Sequence, residues 1–384
     1  MPHALTRLQI EGLRTVDRAD LDLGTGLTVL IGENGTGKST ILEALEILRR
    51  AADHNFIQTF NGVHGGLFRL LRHGAKVIHL AVEGQQAGKA SGYRYELSLH
   101  ATGDAGAIGL EEKLTGFYGD FHRRLGQQQI SHVNGAIPFL SSLETALSSA
   151  GPFERVREAI ASTELHLPFE STPEWAARAH DRKAAMRGSA VLFPASRLER
   201  FGANLANVYA TLRNEKDWDE TLEYVRLGLG SEVEGVSLHA DPGGGAVALS
   251  VRFGGNEVRS SALSDGQLCY LAFVGLFRLH ARSPASVLAF DEPDLHLHPR
   301  LLQRVVGFLE AMGRTAPVVI ATHSDRLLDL LADPASSVVV CDLDAKHATR
   351  LRRPDRARLA EWLDDYTGLG AVRSAGYLQA VVGE

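Results

Sequence analysis

The sequence predicts an α/β fold with a mixed, largely parallel sheet at its core, an antiparallel β subdomain and a mainly helical insertion, and three apolar runs carry that reading. Residues 27–31 form the first run. A glycine-rich loop and a helical stretch over 39–48 follow it, in the strand, loop and helix order of a phosphate-binding site. Residues 287–290 form the second, which ends in Asp291 and Glu292 and reads as a buried parallel strand with its carboxyl end toward a ligand. Residues 318–322 form the third, which ends in His323.

Along the chain, residues 5–14 and 21–31 read as two or three alternating strands leading into the loop. The loop, Gly32-Glu33-Asn34-Gly35-Thr36-Gly37-Lys38-Ser39-Thr40, fits G-x-x-x-x-G-K-[ST]. Its glycines allow positive φ and bring successive backbone N–H groups up to a phosphate, at which the next helix points its positive end. Lys38 is placed to reach the β- and γ-phosphates of a nucleotide, Ser39 to give its hydroxyl to Mg²⁺, and Thr40 to bond a phosphate oxygen nearer the ribose. Residues 77–83 and 93–100 alternate as strands joined by a loop over 84–92. The stretch that follows is richer in helix, with turn signals at Asn134-Gly135, Gly151-Pro152 and Ser171-Thr172-Pro173. The expected organisation is a first lobe over 1–104, an inserted lid or arm over 105–228 and a second lobe over 229–384. In the second lobe Asp291 is expected to hold the Mg²⁺ shell and Glu292 to polarise the attacking water as general base.

Leu263-Ser264-Asp265-Gly266-Gln267 opens a helix on which Leu268, Leu271, Ala272, Leu276 and Leu279 recur at helical spacing, with Ser264 or Asp265 as N-cap. Here the chain resembles the ABC-type ATPases, in which L-S-x-G-Q is the signature motif, placed as here between the phosphate loop and the acidic strand. The resemblance implies a P-loop ATPase head that forms a head-to-tail homodimer with two ATP molecules sandwiched between its copies. Ser264, Gly266 and Gln267 would then belong to the nucleotide site, with Ser264 and the Gly266 backbone touching the γ-phosphate held by the other copy. His323 looks like the family's switch histidine, which contacts the γ-phosphate and the attacking water, and Asp294-Leu295-His296-Leu297-His298-Pro299 looks like the D-loop that crosses the dimer interface. Within the superfamily the likeness is to the RecF/SMC-like heads and the OLD-like, predicted AAA-type ATPases. It rests on the opening strands, the helical stretch after Gly202-Ala203-Asn204-Leu205-Ala206 and the signature and acidic segments. It spans most of the chain outside roughly 100–195.

Some residues leave the family's pattern or admit another reading. Gln58 is the glutamine at a plausible distance for the one that couples transporter heads to membrane subunits, and the His64-Gly65-Gly66 turn after it resembles the predicted-ATPase group more. No aromatic residue is identifiable as an adenine platform, with Arg14 the substitute. The pair His296 and His298 with Asp294 imitates a metal site but lacks further ligands at short spacing. Asp342 and Asp344 imitate a D-x-D metal pair, though a strand end entering a turn is the preferred reading. OLD-type relatives append a Toprim nuclease domain, whereas about sixty residues follow His323.

No stretch approaches the ~20 apolar residues that span a bilayer, and no signal-peptide pattern opens the chain. Cys269 and Cys341 read as buried thiols of a cytoplasmic protein. With 384 residues and a net charge of −6, a large core is affordable and no global basic field draws in nucleic acid. Two local clusters remain as DNA or RNA contacts: Arg178, Arg182, Lys183 and Arg187, and Lys346, Arg350, Arg352, Arg353, Arg356 and Arg358. The expected function is an ATPase that dimerises on ATP and reopens on hydrolysis, a slow switch in DNA repair or maintenance or in anti-phage defence. The alternative is a regulatory scaffold that holds a separately encoded nuclease or toxin without touching nucleic acid.

Overall fold

The computed structural model describes residues 4–53, 56–85, 92–101, 108–116, 128–129, 152–173, 185–240 and 245–382. The chain opens with β1 (Ala4–Leu13), β2 (Val16–Asp22) and β3 (Leu27–Ile31), then α1 (Lys38–Ala51) and α2 (Phe56–His64). β4 (Val77–Gln85), β5 (Gly92–Ala101), β6 (Ile108–Gly116) and β7 (Gln128–Gln129) complete a six-stranded antiparallel sheet in the order β2-β1-β4-β5-β6-β7. Its strands alternate as a half-buried sheet must: in β2, Ala19 and Leu21 point in while Asp20 and Asp22 point out.

After α3 (Pro152–Ala161), β8 (Glu164–His166) and β9 (Ala190–Val191) come α4 (Leu205–Arg213) and α5 (Trp218–Leu229). A small antiparallel sheet follows, made of β10 (Val233–Ala240), β11 (Ala246–Phe253) and β12 (Asn256–Arg259), with β9 paired to β11. The remaining elements are α6 (Asp265–His280), β13 (Leu288–Asp291), α7 (Pro299–Gly313), β14 (Val318–Thr322), α8 (Asp325–Asp329), α9 (Pro334–Ser337), β15 (Val338–Leu343), β16 (Thr349–Arg352), α10 (Arg356–Leu363), α11 (Leu369–Ser374) and α12 (Leu378–Val381).

The central sheet has the order β16-β15-β3-β14-β13-β8, parallel throughout except for the antiparallel edge strand β16. Successive residues of its strands serve two cores. Val29, Ile31, Leu288, Phe290, Val318 and Ile320 pack with α6 and α7 on one face. Leu30, Ala289, Val319, Ala321 and Cys341 pack with α1 and the antiparallel sheet on the other. Burial on both faces is why these strands read as unbroken apolar runs. It also carries α1, and the loop before it, to the carboxyl ends of β3, β13 and β14, where the loops after parallel strands gather.

The segment 105–228 contributes to several layers. β6 pairs with β5 from Tyr93↔Gly116 to Ala101↔Ile108, so the antiparallel sheet runs across residue 104. β8 lies parallel beside β13 with Phe290 opposite His166. Val156, Ala159 and Ile160 of α3 join the core around α1, while Val208, Leu212 and Val225 of α4 and α5 pack with α6. The Asn134-Gly135 turn lies outside the described residues.

A buried ionic knot ties α1 to the segment before α4. The Glu46 carboxylate accepts Arg49 Nε at 2.8 Å and Arg50 Nε at 2.5 Å, and it pairs with Arg200. Burial alone would raise the acid's pKa, but the Arg49 and Arg200 guanidinium groups pull it down from 4.5 to about 2. The folded-state pKa lies below the unfolded one, so this contribution is complete above about pH 4.5 and disappears as the pH falls toward 2. It is on the order of 3 kcal/mol at neutral pH. In thermal melts between pH 7 and pH 2, Glu46→Gln is expected to lie well below wild type at neutral pH and to converge on it in acid. A gap that stays constant with pH would show that Glu46 titrates alike in both states.

Candidate functional site

The phosphate loop owes its shape to glycines at two positions. A Cβ at Gly32 would lie 2.1 Å from the Cys341 carbonyl oxygen of β15, so no side chain fits. Gly37 has φ 100°, and a Cβ there would lie 2.4 Å from Thr349 Oγ1 of β16. Thr349 Oγ1 in turn donates to Thr15 Oγ1 at 2.9 Å, which ties the β15–β16 turn and the β1–β2 turn together behind the loop. Thr36 and Thr40 are buried, whereas Glu33, Asn34, Gly35 and Ser39 face solvent. Lys38 is buried, and its Nζ donates to the carbonyls of Gly32 and Glu33, both at 2.9 Å. Desolvation lowers the Lys38 pKa, with Glu292 and Asp291 opposing that shift through their charge.

Four predicted residues meet at the strand ends. Ser39 Oγ lies 3.4 and 3.5 Å from the two Asp291 oxygens. Glu292, the next residue, has φ 48°, a left-handed conformation that is costly for a side-chain-bearing residue and concentrates at functional sites. Its N–H bonds the Ala321 carbonyl at 2.8 Å, and its Oε1 lies 3.6 Å from His323 Nε2. Desolvation raises both carboxyl groups, Asp294 adds to the effect on Glu292, and desolvation followed by the Lys38 charge lowers His323. A carboxyl group raised by burial beside a histidine lowered by it suits proton acceptance from a water that both side chains can reach.

Among the described residues no cluster of three or more His, Cys, Asp or Glu is arranged to hold a metal ion. Ser39 with Asp291 supplies two oxygen donors, which fits Mg²⁺ that arrives with a nucleotide and completes its shell from phosphates and water. The imitation sites resolve otherwise. His298 Nδ1 accepts Arg300 N–H as the N-cap of α7. Asp342 pairs with Arg350 and Arg352, and Asp344 accepts the N–H groups of Lys346 and Ala348 at 2.8 Å in the turn after β15.

Ser264, Gly266 and Gln267 stand apart from that cluster. Ser264 caps α6: its Oγ accepts Gln267 N–H at 3.3 Å, and Gln267 Oε1 accepts Ser264 N–H at 2.9 Å. A Cβ at Gly266 would lie 2.8 Å from the His296 carbonyl, so a glycine lets the start of α6 pack against the 294–299 segment of its own chain. Asp294 in that segment accepts Thr322 Oγ1 at 2.7 Å. Among the described residues no hydrogen bond or ion pair joins Ser264, Gly266 or Gln267 to the phosphate loop.

Other expectations change. Arg14 donates to Glu43 at 2.6 and 3.2 Å, and His64 Nδ1 lies 2.9 Å from the same carboxylate. The Arg14 guanidinium is thus held in an ion pair at the surface, its side chain 45% exposed. Gln58 lies in α2 with its side chain outside the described residues. Of the first basic cluster, Arg178, Arg182 and Lys183 lie outside the described residues, and Arg187 is buried. In the second, Arg350 and Arg352 share Asp342, Arg353 donates to the Ser336 carbonyl and Arg356 pairs with Asp333.

Arg373 of α11 carries a contact that the sequence reading missed. Its Nη1 donates to the His323 carbonyl at 3.0 Å and to Asp325 Oδ1 at 2.5 Å, and Ser374 Oγ donates to Asp325 Oδ2 at 2.6 Å. The carbonyl of the histidine is thereby tied to the side chain of Asp325, at the start of α8. Fifty residues separate the two ends of this clamp, and no local pattern announces it.

Comparison with known proteins agrees with this geometry. The family described as "AAA domain, putative AbiEii toxin, Type IV TA system" matches residues 27–329. The DNA replication and repair protein RecF of Pectobacterium atrosepticum is 35% identical over 104 residues, 27% of this chain and 26% of RecF. RecF of Salmonella paratyphi A is 34% identical over 101 residues, 26% and 24% of the two chains. The chain thus spans about a quarter of the length of the curated relatives it matches. An Smc head bound to the C-winged helix domain of ScpA has a TM-score of 0.56 at 14% identity, covering 91% of this chain and 97% of that one. The Smc head of Pyrococcus furiosus with an extended coiled coil has 0.54 at 13% identity, covering 94% and 99%. At that identity the likeness establishes the fold alone, that of an Smc head.

Proposed function

We propose, from the premise that the chain belongs to this AAA-domain family and is an ABC-type ATPase of the RecF/SMC group, that it is a Mg²⁺-dependent switch closed by ATP between two copies and reopened by hydrolysis. The observation that carries the reading is the division of the site. One cluster holds the phosphate loop with Asp291, Glu292 and His323, while the signature presents an exposed Ser264 whose hydrogen is free to bond elsewhere. A γ-phosphate set between two copies would draw in Lys38 from one side and Ser264 with the Gly266 N–H from the other, contacts that ADP lacks.

In this mechanism Lys38 exchanges its two loop carbonyls for phosphate oxygens. Ser39 and Asp291 would hold the cation, which when bound would supply charge to offset that on the phosphates. Glu292 accepts the proton of the attacking water, and His323, neutral and fixed through its backbone, orients that water against the γ-phosphate. The reaction is expected to be slow, as suits a switch.

The role proposed is DNA repair or maintenance, or anti-phage defence. Rates of ATP hydrolysis with Mg²⁺, with chelator and with added DNA at two salt concentrations test it. Loss of turnover in chelator together with salt-sensitive stimulation by DNA supports the reading. A second reading has its own observation: Arg187 is buried and four arginines of the C-terminal cluster are already partnered, which favours a scaffold for a separately encoded nuclease or toxin. Turnover indifferent to DNA would decide for that reading.

A further inference from the structure

Arg187 sits in a short helical turn over Ala185–Arg187, and its side chain is 3% exposed. All three guanidinium nitrogens are used. Nε donates to the Ser171 carbonyl at 2.5 Å. Nη1 reaches the carbonyls of Ser260, Ser261 and Leu263 at 3.3, 3.1 and 2.6 Å, and Nη2 donates to Asp265 Oδ1 at 2.6 Å. Ser260 Oγ returns a bond to the Arg187 carbonyl at 3.2 Å.

These partners bracket Ser264. One planar group holds the carbonyl of the residue before it and the side chain of the residue after it, together with the turn that leads into both. Ser264 is extended and exposed, and its own capping bonds to Gln267 fix the start of α6 but not the direction from which the chain arrives. Arg187 fixes that direction. A buried ionic group is weak evidence for stability, because a well-packed apolar side chain often serves as well. A forked donor that satisfies several oxygens at set angles gives geometry instead, which a lysine's single point of charge does not.

We propose that Arg187 is a positioning residue for the signature: it aims Ser264 and the Gly266 N–H at the ATP held by the partner copy. The inference rests on the reading of the signature as a group acting in trans. Its consequence is asymmetric, because an Arg187 variant keeps an intact phosphate loop and loses only what it offers to its partner.

The test is Arg187→Met, of similar length and apolar, assayed alone and mixed with Lys38→Ala, beside a control mixture of Ser264→Arg with Lys38→Ala. Alone, Arg187→Met is expected to bind ATP with near wild-type affinity and to hydrolyse it about 100-fold more slowly, the scale of a misplaced reacting group. Mixed with Lys38→Ala, whose signature is intact, it is expected to regain turnover to the level of the control mixture. Arg187→Lys is expected to stay close to Arg187→Met. Asp265→Asn, which keeps the three carbonyl partners of the turn, is the second variant, with a smaller loss and the same recovery. Wild-type turnover by Arg187→Met overturns the proposal. So does recovery in the control mixture without recovery in either the Arg187→Met or the Asp265→Asn mixture, which marks Arg187 as structural only. Failure of the control mixture, together with wild type keeping its full activity when titrated into Lys38→Ala, overturns the trans reading and the proposal with it.

Discussion

Glu292→Gln is expected to slow ATP hydrolysis by about 10²- to 10⁴-fold, the usual range for loss of a general base, and to make ATP a dimerising ligand. The amide keeps the shape of the side chain and its left-handed backbone but cannot take a proton from water. Phosphate binding by Lys38 and the loop stays intact, so the closed state forms and cannot be left through hydrolysis. Light scattering on this variant should give the monomer mass of 41.5 kDa without nucleotide and with ADP, and twice that with ATP and Mg²⁺. Equal hydrolysis rates in the variant and wild type would remove Glu292 from the chemistry. A mass indifferent to ATP would point to a constitutive oligomer or to closure that needs another protein.

The parts of this site that sequence alone exposes are those whose chemistry is local. The phosphate loop must have glycine where Cys341 and Thr349 crowd the backbone, and its lysine and serine must follow at fixed steps because the first turn of α1 places them. The acidic strand and the histidine strand are legible for a different reason: buried on both faces, they cannot alternate, so 287–290 and 318–322 stand out as apolar runs ending in polar residues. The capping box of Ser264 and Gln267 likewise lies within four residues.

Arg187 and Arg373 follow the opposite logic. Arg187 was expected among surface charges because Arg178, Arg182 and Lys183 precede it, but apart from Ser171 its partners lie over seventy residues away and fold in around it. Arg373 meets His323 across fifty residues. β8 is equally hidden, since three residues are too few to show any period, and only its register against Phe290 fixes it as the edge of the central sheet. Charge in a sequence marks a candidate cation; which acceptors surround it is decided by topology, and that decides whether it meets a ligand or a carbonyl.

Mixing two inactive variants should restore hydrolysis, and this is the sharpest expectation that the divided site allows. Lys38→Ala lacks the cation that engages the phosphates but keeps its signature, whereas Ser264→Arg keeps its loop and places a long charged side chain where the partner's nucleotide would press. Each is expected to be inactive alone. In a mixed dimer one of the two sites combines the intact loop of Ser264→Arg with the intact signature of Lys38→Ala, and the other site carries both defects. Random pairing of equal amounts makes about half the dimers mixed, so recovery up to about a quarter of wild-type turnover is expected if the two sites act independently. Hydrolysis that depends on the product of the two concentrations would identify the dimer as the active species. A mixture as inactive as its components would show instead that each chain needs its own loop and signature together, or that the two sites fire only in concert. Titrating wild type into Lys38→Ala separates those cases. Sites that must fire together lose activity as the variant captures wild-type chains, whereas chains that act alone keep the activity of the wild type added.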